Sequence, residues 1–182
     1  MTKEYWIYPK GHKTSLPKQI LLTNLMTDFP EMTIATDRTD VEMVNQPKRW
    51  NISFIKKFMI TFGLISSVFD YLTFGVLLFI LHATPAQFRT GWFMESVISA
   101  SIIVLVIRSR RPFFKSRPGK YLLVATIAIV IATLIFPFTP LGKIFDFVYL
   151  PMSFIMILGI IMALYILTAE LAKNIFYKKV NS

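Results

Sequence analysis

The chain has 182 residues, 54% of them hydrophobic, no cysteine and a formal net charge of +10. A mean hydropathy of +0.57, with the apolar residues gathered in long blocks, excludes an ordinary soluble domain and indicates an integral membrane protein. The lack of cysteine excludes a disulfide framework, a thiolate metal site and a dithiol redox motif.

In chain order, residues 1–15 form a divergent polar N-terminus. It carries charges but no apolar core of the kind a signal peptide needs. Residues 16–30 contain "LPKQILLTNLMTDFP", apolar but too short and too polar to span by itself. This segment reads as a partial helix, an interfacial piece or the remnant of a longer span. It is expected to be poorly held. Residues 31–57 form a polar loop. Residues 58–182 hold four stretches near the ~20 apolar residues that a transmembrane helix requires. They run from about Phe58 to Leu81, Thr90 to Ile107, Tyr121 to Phe138 and Phe147 to Ala169. Each is predicted helical, because a segment in lipid satisfies its own backbone only in that form. The fold class is therefore all-α integral membrane, with four transmembrane helices plus a partial N-terminal helix.

The basic residues orient the chain. Between the spans, Lys and Arg number five in residues 29–57, one before the second span, six in "RSRRPFFKSRPGK", one in the next loop and three in the tail. Rich and poor loops alternate, so the positive-inside rule places 29–57, 108–120 and the C-terminus in the cytoplasm of a multi-pass cell-membrane protein. The positive charge thus implies lipid headgroups as partners, and the short tethered loop 108–120 argues against nucleic acid. Trp92, Tyr121 and Tyr149 are expected near span ends. Ser96, Ser99 and Ala100 offer a close-packing face to another helix.

Three groups of residues carry candidate chemistry. Asn24, Thr27 and Asp28 lie three and four apart, along one side of a helix. They offer the amide, hydroxyl and carboxylate oxygens that Mg²⁺ and Ca²⁺ prefer, and Pro30 would free a backbone carbonyl nearby. The simpler reading is a polar helix end with Asp28 in a turn. Asp70 lies deep in the first span with Ser66 and Ser67 four and three residues before it. It is either an ion-pathway carboxylate or an Asp that locks helix packing, since a bare carboxylate at that depth costs at least ~2.5 kcal/mol. Glu95 either lines a pathway or, more simply, is an interfacial acid reaching headgroup water. His12 and His82 read as surface or interface residues rather than ligands. No phosphate-binding loop, GxGxxG or nucleophile–base pair is visible, so the sequence offers no catalytic residue and no cofactor site.

These residues resemble a family. "QILLTNLMTDFPEMTIATDRTDVEMVNQPKRW" is similar to the sixth transmembrane helix of P-type cation-transporting ATPases and the loop after it, with Pro47, Lys48 and Arg49 matching a Pro-basic pair. "FMITFGLISSVFDYLTF", "FRTGWFMESVISASIIVLVIRSRRPFF" and "LPMSFIMILGIIMALYILTAELAKNIFY" resemble the last four helices of the magnesium-translocating branch. The resemblance covers residues 16 to 180. It implies that Asn24, Thr27 and Asp28 supply oxygens to a transported cation on a partly unwound helix, that Asp70 belongs to the same site, and that Glu95 falls near a position where acids occur in some members. Mg²⁺ is the implied ion, with Ca²⁺ the alternative. The family's phosphorylated Asp-Lys-Thr-Gly-Thr motif, nucleotide and actuator domains and first five helices are outside this sequence. The resemblance thus implies a truncated or split pump without ATPase activity of its own, whose partners are the missing pump segments or another membrane chain. A free-standing membrane protein that binds or regulates a partner, and a passive cation channel, are the alternatives.

Overall fold

A computed structural model describes residues 17–37, 52–109 and 115–180. The polar N-terminus with His12, most of the loop carrying Pro47, Lys48 and Arg49, and the middle of the basic loop lie outside the described residues. The elements are α1 (Pro17–Thr33), a 3₁₀ turn (Ile34–Thr36), α2 (Ile52–Gly75) continued by a π turn (Val76–Ile80), α3 (Pro85–Ile107), α4 (Lys120–Ile135) with a 3₁₀ turn (Phe136–Phe138), the short α5 (Pro140–Ile144) and α6 (Met152–Val180).

Four of these helices are long and apolar enough to cross a membrane, as the sequence predicts. Their ends differ from the apolar blocks for identifiable reasons. Helix α2 starts at Ile52 rather than Phe58, because helical geometry tolerates Lys56 and Lys57 that an apolar count rejects. Helix α3 starts at Pro85, where Thr84 and Gln87 form a capping box and proline occupies the first turn. Trp92 consequently sits two turns inside α3, edge-on to Phe74. Helix α6 starts after Pro151 rather than at Phe147, since proline biases the residue before it towards extended backbone. It then runs past Ala169 to Val180.

Helix α3 is the hub. In its most apolar window 61% of residues are buried, against 22%, 22% and 33% for the other three spans. It packs against α1, α2, α4 and α6. Val97, Met94 and Phe93 of α3 lie in one apolar core with Leu77 of α2 and Phe154, Leu158 and Ile161 of α6. Gly91 allows the closest approach: a Cβ there would meet Leu77 Cδ2 at 2.9 Å and Phe154 Cζ at 3.1 Å. One end of the bundle is basic, with Lys56 and Lys57 opening α2, Arg108 closing α3, Lys115 and Arg117 before α4, and Lys178 closing α6. Phe54 and Phe58 meet the Phe176 ring edge-to-face there.

Helix α1 is shorter than the spans but reaches both ends of the bundle. At the opposite end Lys18 pairs with Asp146 and donates to the Ile144 carbonyl, and the Gln19 amide donates to the Phe145 carbonyl at 2.8 Å. At the basic end Asp37, just beyond the 3₁₀ turn, pairs with Arg108. Seventeen residues of helix rise about 25 Å. The segment therefore stands upright beside α3 and α4 rather than lying at an interface. Gln19, Met26 and Pro30 are buried along its length and seat it on the bundle.

The connection from α4 to α6 is tight. Val148 donates its backbone N–H to the Thr90 hydroxyl on α3 at 3.1 Å. A Cβ on Gly142 would lie 2.5 Å from the Phe136 carbonyl oxygen, and backbone cannot retreat as a flexible side chain can. Gly142→Ala is expected to destabilise the chain by about 1–3 kcal/mol. Gly63→Ala, where nothing lies within 4 Å, should gain up to ~1 kcal/mol of helix propensity. Thermal unfolding of both variants in detergent checks the contrast.

Candidate functional site

Two polar groups flank α3. The first joins α2, α3 and α6 at mid-bundle. Glu95 is only 1% exposed, and neither of its carboxylate oxygens receives a hydrogen bond from a described donor. The Asp70 carboxyl on α2 lies within electrostatic reach of it, with the Ser99 side chain one helical turn along α3 also close. Tyr165 of α6 completes the group. Its hydroxyl lies 2.7 Å from the Ser66 hydroxyl, where either can donate, and it feels the charge of both acids. Phe69 packs its ring against Tyr165, with centroids 5.2 Å apart.

Several sequence expectations change here. Glu95 is not an interfacial acid at headgroup level: the early start of α3 carries it to mid-helix and turns it into the core. Ser66 does face inwards with Asp70, whereas Ser67 is exposed and donates to its own helix at the Gly63 carbonyl. Tyr165 escapes sequence reasoning, because one tyrosine in "IMALYILTAELAK" looks like any amphipathic aromatic. Its one signal is a position far from either end of an apolar span, where a tyrosine hydroxyl needs a partner.

The second group lies on α1. Asn24 and Asp28 are exposed and Thr27 is half-buried. The helix is α-helical throughout this stretch, so the local unwinding and the turn at Asp28 are both absent from this structure. Thr27 donates its hydroxyl to the Asn24 carbonyl at 3.0 Å. Pro30 lacks the N–H that would otherwise bond the Met26 carbonyl, so that oxygen loses its normal helical partner. Between α1 and α3 a cavity of about 180 Å³ is lined by Gln19, Ile20, Thr23, Asn24, Trp92, Phe93 and Ser96.

The two groups are not joined into one centre. Asn24 looks across the cavity towards Ser96, and Glu95, the next residue on α3, points about 100° away towards α2 and α6. Among the described residues no three Asp, Glu, His or Cys side chains gather as a metal site. What the first group offers is two carboxyls with hydroxyls beside them. Mg²⁺ is commonly held by one or two carboxylates and its own waters, so this donor set has the right chemistry for it. The buried Glu95 carboxyl, with the half-buried Asp70 carboxyl beside it, favours a positive charge between the two.

The model of the family described as "Cation transporting ATPase, C-terminus" matches residues 16–175. The chain belongs to that family. Its similar proteins include the magnesium-transporting ATPase, P-type 1, of Escherichia coli strain K12, 36% identical over 169 residues. The protein of the same name from Salmonella typhimurium strain 14028s is 34% identical over 169 residues. Both alignments take in 90% of this chain and 19% of the relative. A further Salmonella typhimurium protein of that name, from strain LT2, is 31% identical over 165 residues, 88% of this chain and 18% of its own. The chain thus spans about a fifth of the length of the curated relatives it matches. It is a multi-helix membrane protein of the cation ATPase C-terminal family.

Proposed function

We propose that this chain forms the C-terminal part of the membrane domain of a P-type pump whose cargo is Mg²⁺. Residues 16–30 are its ion-site helix, 31–57 a cytoplasmic loop and 58–182 the four-helix scaffold. The basic end, with the C-terminus, faces the cytoplasm, as the positive-inside rule requires. Asn24, Thr27 and Asp28 supply cation oxygens from α1. Asp70 and Glu95 hold positive charge on the far side of α3. ATP hydrolysis and phosphorylation belong to parts of the pump beyond the region of similarity.

One observation carries this reading. Helix α1 stands upright and held at both ends, yet Asn24 and Asp28 midway along it are exposed. A carboxylate at bilayer depth does not face lipid without a cost of at least ~2.5 kcal/mol. The polar face of α1 therefore belongs against further helices, which would complete the coordination of the ion. Such helices come from the rest of a pump or from another membrane chain.

The test grafts residues 16–180 into the Escherichia coli relative in place of its matching region and follows Mg²⁺ uptake in a strain that depends on that pump. The chimera is expected to support uptake, and Asp28→Asn to lower it at least about tenfold at unchanged membrane abundance. Wild-type uptake by the Asp28→Asn chimera would remove α1 from the cation path. A chimera that reaches the membrane and transports nothing would favour the second reading, a free-standing membrane protein whose exposed α1 face docks a partner.

A further inference from the structure

We infer that Asp37 and Arg108 form a latch that fixes the inner end of α1, and that through it they position Asn24 and Asp28 for the cation. The consequence for the cation rests on the function proposed above; the latch itself does not.

The geometry is that of a built junction. Arg108 Nη1 donates to Asp37 Oδ2 at 2.8 Å, with the two side chains 2% and 8% exposed. The other guanidinium nitrogen, Nη2, donates to the Ser116 carbonyl at 2.6 Å and to its hydroxyl at 3.2 Å. The second Asp37 oxygen accepts the backbone N–H of Gly119. Gly119 is the N-cap of α4 and has no side chain of its own to cap with. Arg108 is the C-cap of α3. The anion therefore sits at the positive end of α4 and the cation at the negative end of α3, each in the helix-dipole field that favours it. Three elements meet on one ion pair: the end of α1, the end of α3 and the start of α4.

That arrangement gives the pair leverage. Asp28 lies nine residues before Asp37, about 14 Å along a helix. At the other end of α1 the Lys18–Asp146 pair is exposed and weak, and the buried Gln19 amide on the Phe145 carbonyl leaves that end as a pivot. Releasing the Asp37–Arg108 pair lets α1 tilt or turn about its outer end and carries Asn24 and Asp28 with it. An ammonium cannot reproduce the latch, because the two arms of the guanidinium reach separate partners.

The chain has no cysteine, so introduced cysteines can carry spin labels at chosen sites in the full chain in liposomes. Leu25→Cys with Ile127→Cys reports α1 against α4. Ile127→Cys with Ile160→Cys reports α4 against α6, away from the latch; all three positions are exposed. Asp37→Asn and Arg108→Gln are each expected to shift or broaden the first distance distribution and leave the second unchanged. Ser116→Ala, which keeps the ion pair and the Ser116 carbonyl, should leave both unchanged. The MgCl₂ midpoint for thermal stabilisation is expected to rise about tenfold in Asp37→Asn and Arg108→Gln, with the double variant no worse than either single one. An unchanged first distribution, or equal broadening of both, would overturn the latch. A moved α1 with an unchanged MgCl₂ midpoint would overturn its role in positioning the cation residues. If MgCl₂ leaves even the unsubstituted chain unaffected, the proposed cation role of α1 falls, while the distances still decide the latch.

Discussion

Replacing Glu95 with glutamine is expected to make the chain more stable and less responsive to Mg²⁺. The carboxyl is buried, its oxygens receive no hydrogen bond from a described donor, and Asp70 faces it. An amide removes one charge and brings two donors that can turn towards Asp70. Sites shaped for function commonly store instability of this kind, and relieving it gains about 0.5–2 kcal/mol. Asp70→Asn should act in the same direction, and the double variant should gain no more than the better single one, because the two groups share one interaction. In the unsubstituted chain Mg²⁺ is expected to raise the unfolding temperature by mass action, worth about 2.7 kcal/mol at a hundred times its dissociation constant. In Glu95→Gln that rise should shrink to what Asn24, Thr27 and Asp28 contribute. Thermal unfolding in detergent with and without MgCl₂ reads both effects at once. A variant that is less stable yet keeps its response to Mg²⁺ would mean that the acid pair only locks helix packing.

This experiment also decides between the two readings of Asp70 that the sequence leaves open. Spacing reveals that Ser66 and Asp70 share a face of α2, and hydropathy reveals that the face lies deep. Neither reveals what stands opposite. Glu95 and Tyr165 come from helices 25 and 95 residues further along the chain, and only the packing of α2, α3 and α6 brings them together. Long-range partners of this sort leave no local pattern. Glu95 looks interfacial in the sequence for a simpler reason: an apolar window starts α3 at Thr90, while a capping box starts it at Pro85. Five residues of helix are about 7.5 Å, which is the difference between headgroup level and the core.

The number and order of the spanning helices were legible because lipid permits few solutions. Four apolar blocks suffice for that. Helix α1 was less legible, because its polar residues lower the same signal that identifies a span. Its upright position depends on tertiary ties: Lys18 to Asp146 at one end and Asp37 to Arg108 at the other. In the sequence Arg108 is one of six similar basic residues in its loop, and nothing local marks it as buried and paired.

Lys173 makes the same point and carries the second large effect. A lysine near the end of a last helix reads as a solvated, orienting charge. In the fold it is 0% exposed. Its ammonium donates to the Val106 carbonyl at 2.9 Å and pairs with Glu170 at 2.9 Å. Val106 belongs to the last turn of α3, whose carbonyls have no partner within the helix. Lys173 supplies one and places positive charge at the negative end of that helix dipole. It also binds α6 to α3 at the basic end, beside the small apolar cluster of Phe62, Val106 and Ala169. Lys173→Ala should therefore cost about 3 kcal/mol, since it strips the half-buried Glu170 carboxylate of this partner and leaves a cavity where the stem lay. Lys173→Met fills the cavity but not the charge, and Lys173→Met with Glu170→Gln removes both charges together. The expected order of thermal stability in detergent is unsubstituted chain, double variant, Lys173→Met, Lys173→Ala. If Lys173→Ala instead unfolds with the unsubstituted chain, water replaces the ammonium at Val106 and the junction of α3 with α6 rests on apolar packing alone.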